Sequence, residues 1–166
     1  MRTALDAPED LLDKHEKNFV ANIRKHGWFG TGVMAEGDLP GFYYSTGFWK
    51  TLGIPELIAF SIKSDAAHGI FWNVYNDAKA GRQFENGKRF DEILKAHDIV
   101  LLPVDERHYR EHLGWGRWFY GGNSFPCLQL ICPDRANLFP WEEVFDAKSA
   151  GDQPDLSEGR WGGLGN

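Results

Sequence analysis

Between Ser64 and Gly81 the apolar residues Ala67, Ile70, Phe71, Val74, Tyr75 and Ala78 recur at helical spacing. This fixes one amphipathic helix over residues 64–79 and obliges the rest of the chain to supply the surface it covers. Ser64 is a natural N-cap and Gly81 a natural stop. The flanking segments keep a period of two. Residues 28–35 and 42–48 alternate as strands joined by Glu36-Gly37-Asp38-Leu39-Pro40-Gly41, a loop dense in turn formers. Residues 57–62, 99–104 and 125–131 read as short apolar strands, and Asn86-Gly87 as a loop tip.

The remaining helical segments are shorter. Pro8-Glu9-Asp10 opens one, with Leu12, Phe19 and Ile23 on one face and Gly27 as its stop. Residues 91–97 form a second, Asp105 caps a third that ends at Gly114, and Pro140 begins a final helical turn. Strands in local pairs, interrupted by helices without regular βαβ alternation, predict an α+β fold: a single domain with a mostly antiparallel sheet and helices packed on one face. A chain of 166 residues has interior for one sizeable core. Residues 1–146 are assigned to the domain and 147–166 to a Gly-rich polar tail, surface-hugging or partly disordered.

The formal net charge of -6 removes any general attraction to phosphate backbones or anionic lipid, so neither nucleic acid nor membrane is an expected partner. Lys79, Arg82, Lys88 and Arg89 are interspersed with Asp77 and Glu85 and read as a solvated turn. The longest apolar runs are too short to span a bilayer, and the first residues lack the apolar core of a signal peptide. Cys127 and Cys132 fall at odd separation on one strand. At about 3.3 Å per residue their backbones would lie roughly 16 Å apart, beyond disulfide reach. Free thiols agree with a reducing compartment, and the expected location is the cytoplasm.

Two motifs resemble chemistry. His108-Tyr109-Arg110-Glu111-His112 has the His-x-x-Glu-His spacing in which two imidazoles one helical turn apart can share a metal. Such a site needs another ligand, and the downstream acids Asp134, Asp146 and Asp152 fall in turn or tail segments, so the motif is read as a solvated helix and no metal is expected. Gly30-Thr31-Gly32-Val33-Met34-Ala35 fits the dinucleotide fingerprint but lies between a helix and a loop, the wrong context, and no cofactor is expected. His15, His26, His68 and His97 read as structural histidines.

Polar residues among large rings suggest the walls of a site, in a chain that is 14% aromatic with seven Trp. Alternation places Tyr44 and Thr46 on one face of their strand and Tyr43 and Ser45 on the other. A face of hydroxyls is either solvated or turned to a ligand. Glu56 follows Pro55 at an element boundary, where a carboxylate caps backbone amides or serves a site. Gln129 is the polar residue of an apolar strand, hence a sheet-to-loop tie or a ligand contact. Tyr120 belongs to a glycine-framed cluster of rings with Trp115, Trp118 and Phe119. The candidate binding set is therefore Tyr43, Tyr44, Ser45, Thr46, Glu56, Tyr120, Gln129 and Trp141, with Tyr44, Glu56, Gln129 and Trp141 expected around one concavity. No catalytic residue is assigned.

These blocks together resemble a bacterial family catalogued as domain of unknown function 4262. The resemblance rests on His26-Gly27-Trp28, residues 42–47, Gly53-Ile54-Pro55-Glu56-Leu57, Phe125-Pro126, Leu128-Gln129, Pro133-Asp134, Phe139-Pro140-Trp141 and Gln153-Pro154-Asp155-Leu156. It implies no activity. Ser45-Thr46-Gly47-Phe48-Trp49 is bulkier than the family's usual Thr-Val-Gly-Leu, which implies a differently shaped pocket. The expected function is an aromatic-lined pocket for a small polar ligand, with enzymatic activity and oligomeric state left open. The alternative is a protein-interaction module of inhibitor or immunity type that grips a basic partner protein.

Overall fold

The computed structural model describes residues 1–165. It contains six strands, β1 (Phe29–Val33), β2 (Phe42–Thr46), β3 (Glu56–Phe60), β4 (Arg89–Phe90), β5 (Ile99–Pro103) and β6 (Cys127–Ile131). They form one sheet in the order β1-β2-β3-β6-β5-β4. Every pairing is antiparallel except β3 with β6, where Leu57 lies opposite Leu128. This is the expected α+β domain with a mostly antiparallel sheet.

Six α-helices surround it: α1 (Lys14–His26), α2 (Phe48–Leu52), α3 (Ser64–Lys79), α4 (Tyr109–His112), α5 (Gly114–Tyr120) and α6 (Arg160–Leu164). The periodic helix α3 buries Ala67, Phe71, Val74 and Tyr75 against Tyr43, Leu57, Ala59, Leu101, Leu128 and Leu130 on one face of the sheet. The opposite face is covered in two halves. Phe19 and Ile23 of α1, with Tyr109, Leu113, Phe119 and Tyr120 of α4 and α5, pack on Tyr44, Ile58 and Phe60. Phe139, Trp141, Trp161 and Leu164 cover Val100, Leu102 and Ile131. Strands buried on both faces explain why β3 and β6 have no exposed position.

Several local expectations are corrected. Helix α1 begins at Lys14, because Asp13 forms a capping box with Glu16 (2.8 and 2.9 Å) that outcompetes Pro8 as the start. Residues 91–97 are bends without helix, and Pro140 lies in a turn. Gly114 does not end the helical segment but begins α5. The short helix α2 was hidden in the strand pattern of residues 42–48. It starts where Gly47 adopts φ 119°, with the backbone so close that an added Cβ would sit 2.6 Å from the Gly27 carbonyl oxygen.

Residues 147–165 follow the body of the protein. Gln129 Nε2 donates to the Pro154 carbonyl at 2.7 Å and its Oε1 accepts from Leu156 N at 3.2 Å. Gln153 makes a reciprocal pair with the Cys132 backbone, at 2.8 and 2.9 Å. Leu156 is 2% exposed. Two side-chain amides thus tie the segment to the end of β6 and bring residues 155–158 beside α4. Among the described residues no helix is long and apolar enough to cross a membrane.

Candidate functional site

Most of the residues singled out from the sequence are engaged in internal hydrogen bonds, in several separate places. The Glu56 carboxylate is fully buried and accepts four bonds, from Ser45 Oγ (2.7 Å), Gly47 N (2.9 Å), Trp49 N (3.0 Å) and the Tyr120 hydroxyl (2.8 Å). It therefore caps α2 from outside that helix. Ser45 Oγ also accepts from Leu57 N at 2.9 Å, and the Tyr120 hydroxyl from Lys50 N at 3.2 Å. Burial holds the Glu56 pKa above the usual carboxylate range despite these donors. Burial, reinforced by the Glu56 charge, pushes the Tyr120 phenol up as well.

Tyr44 is 2% exposed and its hydroxyl accepts from Trp115 N at 3.0 Å, tying β2 to α5. Thr46 is fully buried beside it, its hydroxyl without a hydrogen-bond partner. Gln129 ties strand to loop as described. Trp141 stacks on Phe139 at 5.1 Å over the β5–β6 half of the sheet. The concavity expected around Tyr44, Glu56, Gln129 and Trp141 is not formed. The strands of Tyr44, Glu56 and Gln129 do share a sheet, but Trp141 packs over the other half of the same face from Tyr44, and the polar atoms of Glu56 and Gln129 are spent on internal hydrogen bonds. The sequence cannot show that a buried polar group already has its partners.

Tyr43 lies on the other face, its hydroxyl 2.7 Å from His68 Nδ1. Trp72 Nε1 donates to His68 Nε2 at 3.0 Å. An indole nitrogen can only donate, so the neutral imidazole carries its proton on Nδ1 and gives it to Tyr43. Burial and the Asp65 charge push the Tyr43 phenol up to about 12. Trp28, His68 and Trp72 border a small hollow of 210 Å³, but both His68 nitrogens are committed.

Chemistry converges elsewhere, in a cleft of 410 Å³ between the β1–β2 hairpin, α4 and residues 154–156. Phe42, Phe60 and Leu156 give it an apolar wall, and His108, Glu111, His112, Glu36 and Asp155 bring polar groups. His112 packs against Phe42 and Phe60 with ring centroids 5.1 and 5.5 Å apart. Its Nδ1 is 3.0 Å from the His108 carbonyl oxygen. His108 Nε2 lies 2.5 Å from Glu158 Oε1, and Arg107 holds the other Glu158 oxygen at 3.2 Å. Glu158 itself has φ 57°, a left-handed backbone uncommon for a side chain of this kind. Asp155 stabilises that turn by accepting from Ser157 N and Gly159 N.

A larger hollow of 700 Å³ lies on the other side of the same hairpin. It is lined by Asp38, Lys63 and Asp152 among Gly, Pro, Ser and apolar residues, and no histidine borders it. The smaller cleft is therefore the stronger candidate, because a few convergent polar groups against an apolar wall are what binding sites share. Of residues 42–47, Phe42 lines it. His108, Glu111 and His112 carried a visible motif, whereas Glu158 lay in a segment whose polarity alone signalled a tail.

Among known proteins, the family model described as a domain of unknown function (DUF4262) matches residues 22–146. No curated protein and no solved structure matches the chain. The matched span includes α4 together with His108 and His112 but not Glu158.

Proposed function

Given a chain that belongs to the family described as a domain of unknown function (DUF4262), we propose that it is a binding protein for a small polar ligand held in the cleft between the hairpin, α4 and residues 154–156. The observation that supports this is the meeting of two imidazoles and three carboxylates with an apolar wall in one 410 Å³ space. None of the described residues that line it is Lys or Arg. A neutral or cationic ligand suits such a lining, and an anion would be repelled. The same reading assigns the protein to the cytoplasm, in keeping with two unpaired thiols.

The alternative, an interaction module for a basic partner protein, draws on the hairpin that rims the cleft, where Met34 is 91% and Leu39 62% exposed. A thermal-shift screen of amines, amino acids and sugars on the parent and on a Leu39→Trp variant separates the two. The substitution crowds the mouth of the cleft and leaves every imidazole and carboxylate in place. A ligand present at 100 times its dissociation constant stabilises by about 2.7 kcal/mol, so a hit should raise the parent's melting temperature and leave the variant's unchanged. A flat response in both proteins, or equal shifts in both, contradicts the cleft reading.

A further inference from the structure

We propose that His108, Glu111 and His112 form a site for one divalent transition-metal ion of the zinc class, with Glu158 as the outer partner that orients His108. The inference deepens the cleft reading, rests on the same walls, and departs from the sequence expectation of no metal. One possible ligand atom from each of the three residues lies within 4.8 Å of the others. Metal–nitrogen and metal–oxygen bonds of about 2.0–2.2 Å place tetrahedral ligands about 3.4 Å apart. A modest side-chain rotation closes the remaining gap.

The hydrogen bonds of the two imidazoles support this assignment independently of their proximity. A carbonyl oxygen only accepts, so His112 carries its proton on Nδ1 and donates it to the His108 carbonyl, which leaves Nε2 with a bare lone pair. The Glu158 carboxylate likewise accepts from His108 Nε2, which leaves Nδ1 bare in the neutral ring. Each ring thus has one nitrogen anchored by a carbonyl or carboxylate and the other free, as in metal-bound histidines whose outer partners fix tautomer and orientation. Arg107 keeps Glu158 in place. Among the described residues the Glu111 carboxylate has no hydrogen-bond or ion-pair partner. An ordinary ion pair accounts for His108 and Glu158, but it gives neither His112 Nε2 nor Glu111 anything to bind.

Two nitrogens and one carboxylate select zinc, nickel or copper over magnesium and calcium, which prefer all-oxygen sites. Three protein ligands leave at least one coordination position, and the cleft is where it opens. A small polar ligand with a lone pair would complete the shell. The third donor is the motif's own Glu111 rather than a downstream acid, and the outer partner comes from fifty residues downstream.

The test uses the full chain stripped with chelator and titrated with cobalt(II), whose visible d–d bands report coordination, followed by displacement with zinc(II). One cobalt per chain with a visible spectrum, released by one equivalent of zinc, is expected. His112→Gln and Glu111→Gln should each weaken binding by more than about 100-fold, beyond what losing an outer partner costs, and Glu158→Gln by about tenfold. Metal-free melts confirm that the variants fold, and the exposed Glu111→Gln keeps the test open should His112→Gln fail to fold. No visible spectrum, or uptake that survives both ligand substitutions, overturns the proposal. Failure of this titration leaves a ligand hit that Leu39→Trp abolishes standing, and failure of the screen leaves a cobalt spectrum standing.

Discussion

Replacing Glu56 with Ala should destabilise the protein far more than replacing it with Gln. In the parent the carboxylate accepts from two backbone amides, Gly47 N and Trp49 N, and from the hydroxyls of Ser45 and Tyr120. The hydroxyls can rotate to new partners. The amides are fixed by the first turn of α2 and, once stranded, cost about 1–3 kcal/mol each. Against this total of about 2–6 kcal/mol stands the relief of no longer burying a charge. The net loss for Glu56→Ala is therefore about 3 kcal/mol, or roughly 6–12 °C in melting temperature for a chain of this size. Glu56→Gln keeps a carbonyl oxygen for Gly47, Trp49 and Tyr120, and its amide can donate to Ser45 Oγ. Only the Ser45 proton loses its acceptor, at about 1 kcal/mol. Urea unfolding followed by tryptophan fluorescence measures both variants. Equal losses, or an Ala variant within about 1 kcal/mol of the parent, would refute the capping role. The pH dependence supplies a second check. Burial raises the folded-state pKa of Glu56 above its unfolded value, so between the two the native state binds more protons than the unfolded state. Glu56 therefore lowers stability as pH rises through that window, and Glu56→Gln should lack this component.

Cys127 and Cys132 should both resist a thiol reagent in the native protein and both react after denaturation without reductant, since burial pushes Cys132 up to about 12 and Cys127 well above its ordinary value; a single reactive thiol in the denatured chain would contradict this. Gly30→Ala should cost about 1–3 kcal/mol by denaturant melt, because the new methyl would run into the Tyr43 hydroxyl and the ring carbon that bears it. Gln129→Leu should free residues 153–158 from the sheet, seen as faster limited proteolysis there with the rest of the domain intact; an unchanged digestion pattern would show that Gln153 alone holds the segment.

The strands and α3 were legible because burial patterns repeat locally: Phe71, Val74 and Tyr75 mark one face whatever lies opposite. The site was legible only in part. Tyr44, Ser45, Glu56 and Gln129 look in sequence like ligand contacts, since polar groups in apolar strands must find partners. Those partners are the Trp115, Leu57, Gly47 and Leu156 backbone amides, all at positions that sequence spacing does not connect. The His108-x-x-Glu111-His112 motif was visible, but its setting was not. The cleft needs the hairpin at Val33 and Leu39, the rings of Phe42 and Phe60, and residues 154–158 held by a glutamine on β6. Such an assembly is a property of topology, and the polar composition of residues 147–166 conceals that part of it forms a wall.

Amide chemical-shift mapping tests the central claim most directly, that function resides in the cleft formed by the hairpin, α4 and residues 154–156. With the most stabilising compound from the screen added to isotope-labelled protein, the amides of Val33, Leu39, Glu111, His112 and Leu156 should move together and saturably. If they stay still while those around Trp28, His68 and Trp72 move, the ligand belongs to the other face of the sheet and the account is wrong.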